Sequence, residues 1–137
     1  MKQWNGKLFV VGGDLIGVVE EDVQVLAKYA DIELAGPVNY AAQSAIRQGA
    51  SGLYIAANSP VYVNGQKNSH IHYKRALGLI AKKSICGDMT DTVRAAAHAT
   101  ENGLSTIIFD GKSHGLLYAL KGKGTKIYKK QTINHCY

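Results

Sequence analysis

The sequence predicts a three-layer α/β sandwich built on a mainly parallel sheet. Three observations carry that prediction. Short runs rich in β-branched and aromatic residues, among them Leu8-Phe9-Val10-Val11, Leu53 to Ala57 and Thr106 to Phe109, alternate with stretches of helical period. These runs are continuously apolar rather than alternating, as strands covered on both faces are. Each stops at a turn-forming pair or triplet, Gly12-Gly13, Asn58-Ser59-Pro60 or Asp110-Gly111. Alternating strands and helices of this kind fold into parallel units with helices on both faces of one sheet.

The elements follow in order. Lys7 to Val11 reads as a buried strand entering a tight turn. Glu20 to Ala30 is expected as a helix with Val23, Leu26, Ala27 and Ala30 inward and acids in its first turn, where the helix dipole favours them. Ile32 to Leu34 is a short strand stopped by Gly36-Pro37. Asn39 is expected to cap a helix over Tyr40 to Gln48 that ends at Gly49. After the Leu53 to Ala57 strand, Asn64-Gly65 marks a tight turn, so a small β-hairpin flap is expected near residues 61–66. His72 to Lys83 is expected to be helical, with Ala76, Leu77, Ile80 and Ala81 inward. A helix over Thr90 to Thr100 ends at Asn102-Gly103 and leads to the Thr106 to Phe109 strand. Ser113 is expected to cap a helix to Leu120, and Thr125 to Tyr128 to close the sheet. Residues 1–130 make a single α/β domain in this reading, and 131–137 a tail with no pattern.

A chain of 137 residues suits one domain and one core. No apolar run approaches the ~20 residues that span a bilayer, so no membrane partner is expected. The basic start lacks an apolar run with a small-residue cleavage site, which makes the expected setting cytoplasmic. Cys86 and Cys136 form neither a disulfide framework nor a metal spacing.

The net charge of +6 is unevenly spread. Asp14, Glu20, Glu21, Asp22, Asp31 and Glu33 crowd the first third, residues 34–87 hold no acid, and Lys121, Lys123, Lys126, Lys129 and Lys130 cluster near the end. Such a surface draws anions, or serves only as a solvated face. The basic stretches carry tyrosines but no recognisable nucleic-acid-binding motif, so nucleic acid is not the expected partner.

In open α/β sheets ligands bind beyond the carboxyl ends of the strands. Gly12-Gly13-Asp14, Ala57-Asn58-Ser59 and Asp110-Gly111-Lys112 sit there, and Gly87-Asp88-Met89 opens a helix. Glycine lets backbone approach a phosphate, and helix N-termini present unpaired N–H groups to it. Gly111-Lys112-Ser113 is not a P-loop, because that motif needs glycine where Thr106 stands. Gly12, Gly13 and Gly17 do not make the dinucleotide fingerprint. His70 and His72 would share a face on a strand, but no third ligand accompanies them, and no metal site is expected.

From Asn39 to Ile127 the order of elements resembles the nucleotide-binding lobe of the amino acid kinase family, whose members include acetylglutamate kinase, glutamate 5-kinase and uridylate kinase. Asn39-Tyr40-Ala41-Ala42-Gln43-Ser44-Ala45-Ile46 stands where the family has an Asp-led, alanine-rich helix. Ser51 to Ala57 stands for its middle strand and Val61 to Gln66 for the hairpin after it. Gly87-Asp88-Met89 is similar to a Gly-Gly-Met turn, while Asn102 to Lys112 and Gly124-Thr125-Lys126-Ile127 follow the closing segments. The resemblance implies a nucleotide or other phosphorylated small molecule as ligand, with ATP and Mg²⁺ as the cofactor. It implies backbone contacts to phosphate at Gly12, Gly13, Gly87, Asp88, Met89 and Gly111. Lys112 would be the neutralising charge and the candidate catalytic group, and Asn58 would stand at the ligand edge.

The chain also departs from the family. The second, acceptor-binding lobe has no counterpart. Val10 and Val11 replace a lysine before the paired glycines, Asp91-Thr92 another beyond Gly-Gly-Met, and Ala57-Asn58 a Thr-Asp pair. Phosphoryl transfer depends on such charges. Three functions therefore stay open: a ligand-binding protein with weak or no kinase activity, an active small kinase for a carboxylate or phosphate acceptor, and a non-catalytic assembly subunit. A shortened sheet exposes surface where a lobe once packed, so a homo-oligomer or complex subunit is expected.

Overall fold

The computed structural model describes residues 6–130. In chain order it holds β1 (Lys7–Val11), α1 (Ile16–Leu26), β2 (Asp31–Ala35), α2 (Val38–Arg47), β3 (Gly52–Ala57), β4 (Tyr62–Val63), β5 (Gln66–Lys67) and β6 (His70–His72). Then come α3 (Tyr73–Ala81), α4 (Asp88–Glu101), β7 (Ser105–Asp110), α5 (Leu116–Leu120) and β8 (Thr125–Tyr128). Six strands form one sheet in the order β2-β1-β3-β7-β8-β6. β2, β1, β3 and β7 are parallel, β8 runs antiparallel to β7, and β6 lies parallel to β8. The sheet is thus mainly parallel, with a reversed pair at one edge, and β4 and β5 make the small antiparallel flap.

Two layers of side chains cover the sheet. On one face Phe9, Val11, Leu53, Ile55, Ile108 and Ile127 pack against the alanines of α2 and α4 and against α3. On the other, Leu8, Val10, Tyr54, Ile107 and Phe109 meet α1 and α5. Small residues let α4 sit close: Val93, Ala96, Ala97 and Ala99 are fully buried. The flap turns at Asn64 and Gly65, both with positive φ, 53° and 81°, as a two-residue hairpin requires.

Several sequence expectations are corrected. α1 starts earlier and ends sooner than Glu20 to Ala30, because Gly13–Leu15 forms a 3₁₀ turn that runs straight into it. Its buried contacts are Val19 and Leu26, while Ala27 is exposed. Pro37, not Asn39, precedes the first turn of α2. In α3, Leu77 and Ala81 face outward, since α4 takes only the stripe around Ala76 and Ile80. His72 caps that helix, accepting the Lys74 N–H through Nδ1. β8 does not close the sheet, because β6 pairs beyond it, Ile71 opposite Ile127. Residues 131–137, including Cys136 and the expected tail, lie outside the described residues.

Candidate functional site

Three loops meet beyond the carboxyl ends of the parallel strands. After β1, Leu15 donates its N–H to the Gly12 carbonyl at 2.9 Å and closes the 3₁₀ turn. A Cβ on Gly12 would lie 2.8 Å from Ile16 Cα, so only glycine allows the chain to fold back this tightly. Gly13 has φ +54° with open space around it. After β3, Asn58 donates through Nδ2 to Asp14 Oδ2 at 3.2 Å, tying the second loop to the first. After β7, the Gly111 N–H donates to the Ala57 carbonyl at 2.9 Å, tying the third to the second. A Cβ on Gly111 would stand 2.6 Å from Leu15 Cδ1 and 3.1 Å from Ala56 Cβ, so the loops are in close contact.

Asp110 organises the last loop. Its Oδ1 accepts the Lys112 N–H at 3.1 Å and its Oδ2 accepts the Ser113 hydroxyl at 2.8 Å, an Asx-type turn. Lys112 is left exposed at the tip. Ser113 is therefore a partner of Asp110 and not the cap of α5. That helix begins after Gly115, and Asp22 of α1 accepts its first N–H, that of Leu116, at 2.9 Å. Nothing in sequence signalled this contact across 94 positions. Asp14 was also missed as a partner, although its place directly after Gly12-Gly13 is the sort of position where a turn-stabilising carboxylate sits.

Gly87, Asp88 and Met89 stand apart from this cluster. Gly87 has φ +67° and precedes α4, whose N-terminal end points to the same end of the sheet because α4 runs back against β7. Asp88 is exposed, and Met89 is partly buried against the core cluster beneath α2, α3 and α4. Among the described residues no hydrogen bond joins this turn to the other three loops. Asp91, one turn further, pairs with Arg94 at 3.3 Å. Val10 and Val11 are buried in the sheet.

The remaining candidates are engaged elsewhere. His70 and His72 share a face of β6. His72 accepts at Nδ1, so its Nε2 donates to the Lys129 carbonyl at 2.8 Å, and both ring nitrogens are occupied. Among the described residues no group of three or more His, Cys, Asp or Glu could hold a metal ion. No helix there is long and apolar enough to cross a membrane. Cys86 is a free, exposed thiol and His98 an exposed residue of α4. A cavity of about 770 Å³ lies at the opposite end, where β7 begins and β8 ends, and a smaller groove of about 360 Å³ runs along α2 and α4.

No family model and no curated protein matches the chain. Solved structures do. Carbamate kinase from Giardia lamblia bound to AMP-PNP aligns with TM-score 0.60 and 22% identity, over 74% of this chain and 34% of the kinase. A protein of Aeropyrum pernix K1 aligns with TM-score 0.63 and 17% identity, over 74% and 34%. N-acetylglutamate synthase from Neisseria gonorrhoeae, complexed with coenzyme A and N-acetyl-glutamate, aligns with TM-score 0.61 and 18% identity, over 82% and 31%. The chain thus spans about a third of the length of these structures. Sheet order, flap and neighbours agree on one conclusion: this chain has the amino acid kinase fold.

Proposed function

We propose that the chain binds a nucleotide or another phosphorylated small molecule at the carboxyl ends of its parallel strands, with little or no kinase activity. The observation that carries this reading is the contact of the three loops, with glycine backbone at Gly12, Gly13 and Gly111 where side chains have no room or no suitable conformation. Exposed Lys112 supplies the cation. Gly87, Asp88 and Met89 add a helix N-terminus from the side, and Asn58 lies at the edge. The carbamate kinase neighbour binds AMP-PNP, which makes an adenine nucleotide the first ligand to try. Magnesium is held by one or two carboxylates plus the phosphates it accompanies. Asp14 suits it, being exposed with Oδ2 held by Asn58, whereas both oxygens of Asp110 are committed to its turn.

Weak catalysis follows from charge. Transfer of a phosphoryl group needs cations aimed at the charge that develops in the transition state. Buried Val10 and Val11 cannot supply one, and at Asp91 a carboxylate paired with Arg94 takes the place of a lysine. The setting we infer is the cytoplasm, where an exposed thiol such as Cys86 stays reduced.

Thermal melts with Mg-ATP, Mg-ADP and UTP test this. Saturation at about 100 times the dissociation constant adds roughly 2.7 kcal/mol of stability, and Lys112→Ala should weaken the response. A flat melt with all three nucleotides overturns the reading. Unchanged affinity in Lys112→Ala overturns the role of Lys112 alone. One observation favours a second reading, an assembly subunit: Val18, Val25 and Tyr29 on and just after α1 are 52%, 64% and 46% exposed. That reading predicts a stable oligomer with no nucleotide response.

A further inference from the structure

The reversed pair β8 and β6 carries a second surface at some distance from the glycine loops. Ile127 and Ile71 point into the core beneath α3 and α4. Side chains alternate along a strand, so Lys126 and Tyr128 on β8, and His70 and His72 on β6, project from the opposite face. On that side α1 lies over β1 and β2 and α5 over β3 and β7, and among the described residues no helix is seated over β8 and β6. The rings form a cluster: Tyr128 meets His72 edge-on at 5.4 Å and His70 at 6.4 Å.

At the foot of this face lies the cavity of about 770 Å³, within the range of small-molecule and nucleotide-sized sites. Among the described residues its wall carries Lys126, Lys129 and Lys130 with the His70 and Tyr128 rings, and no carboxylate side chain. Lys129 is anchored, its Nζ donating to the Glu101 carbonyl at 3.0 Å, so two of its three protons remain for an anion. Glu101 itself is among the residues that line the smaller groove on α4. Basic residues continue past the cavity at Lys74 and Arg75, where α3 leaves β6.

We propose that this face binds single-stranded nucleic acid, with backbone phosphates on Lys126, Lys129 and Lys130 and a base against the Tyr128 and His70 rings. Single strands are held by this combination of a basic track and stacking rings, without a sequence motif. The sequence shows the lysine cluster around Tyr128 but no nucleic-acid-binding motif, and only the fold brings His70 and His72 beside it. The Tyr128 and His70 rings offer a base a stacking surface, a contact that a lipid headgroup would not use.

The test is fluorescence anisotropy with labelled oligothymidylate and oligouridylate, titrated between about 50 mM and about 200 mM salt. In Lys126→Ala/Lys129→Ala, binding should fall by at least roughly tenfold, and the slope of log K against log salt should flatten by about 1.4, at roughly 0.7 per lost phosphate contact. Tyr128→Leu should lose roughly five- to hundredfold, and Tyr128→Phe should retain binding. Lys28→Ala/Arg47→Ala removes the same charge elsewhere and should leave affinity nearly unchanged. Thermal melts confirm that each variant is folded. No binding by the wild type at low salt overturns the proposal. So does an equal loss in the Lys28/Arg47 variant, which would indicate attraction by net charge only. Equal affinity for inorganic polyphosphate or for anionic lipid vesicles overturns it as well. Nucleotide melts of Lys112→Ala report on the glycine loops and those of Lys126→Ala/Lys129→Ala on this face, so the two sites fail or succeed separately.

Discussion

Gly111 shows how closely single atoms constrain the candidate site. Its missing Cβ would overlap Leu15 Cδ1 and crowd Ala56. Gly111→Ala should therefore destabilise the fold by about 1–3 kcal/mol, measured as a lower urea midpoint, and should weaken nucleotide response by parting the loops. Tyr54 offers a pH test. Burial pushes its phenol up, and a hydrogen bond with Ser105 offsets this only in part. The folded state then holds the proton more tightly than the unfolded chain does, so the contribution is complete below the ordinary phenol value and is lost as pH rises past it. Wild type should lose stability from about pH 10 upward, and Tyr54→Phe should lose less over the same range. Urea midpoints on the alkaline side check this. At this scale sequence was partly legible. The Gly12-Gly13, Asn58 and Gly111 loops could be placed from strand ends, but the Asn58–Asp14 and Asp22–Leu116 bonds depend on tertiary approach, which no local pattern encodes.

Elements depend on what their faces meet. α4 buries its alanine face against α2, α3 and the sheet, while Asp88, Asp91, Arg94, His98 and Glu101 form an exposed stripe, and its alanines set the spacing. Ala96 is 0% exposed, so Ala96→Leu should cost about 1–3 kcal/mol through overpacking, read as a drop in melting temperature. The same enclosure explains why helix types and order were legible but their ends and inward faces less so. Periodicity marked α3, yet Leu77 points outward because α4 covers only one stripe. α1 was shifted toward the N-terminus because the 3₁₀ turn after Gly12 is itself helical in sense. β6 was weighed only as a condition for His70 and His72 to share a face and not placed as an element, because three residues are too few to show a period.

At the scale of the whole molecule, one sheet edge is acidic and the other basic. β2 and α1 carry Glu20, Glu21, Asp31 and Glu33, while β6, β8 and the start of α3 carry lysine, arginine and histidine. The apolar residues exposed along α1 add a place for association. Light scattering on a sizing column should find an oligomer, and Val25→Glu should shift it toward monomer; a wild-type monomer at all concentrations would remove the assembly reading. The fold class was legible because strand and helix signals alternate along the whole chain, whereas the exposed face of β8 and β6 was not, since it joins residues that are 57 positions apart at the His72–Lys129 contact. That separation also sets an order of events. While the chain is being made, β1, β2 and β3 can pair as they emerge, but β6 has no neighbour until Thr125–Tyr128 arrives as the last described strand. β6 must wait through the making of α3, α4 and β7, held only by local contacts, and long loops of this kind close late. The sheet is thus finished from the inside outward, and its final stitch is made by residues synthesised midway.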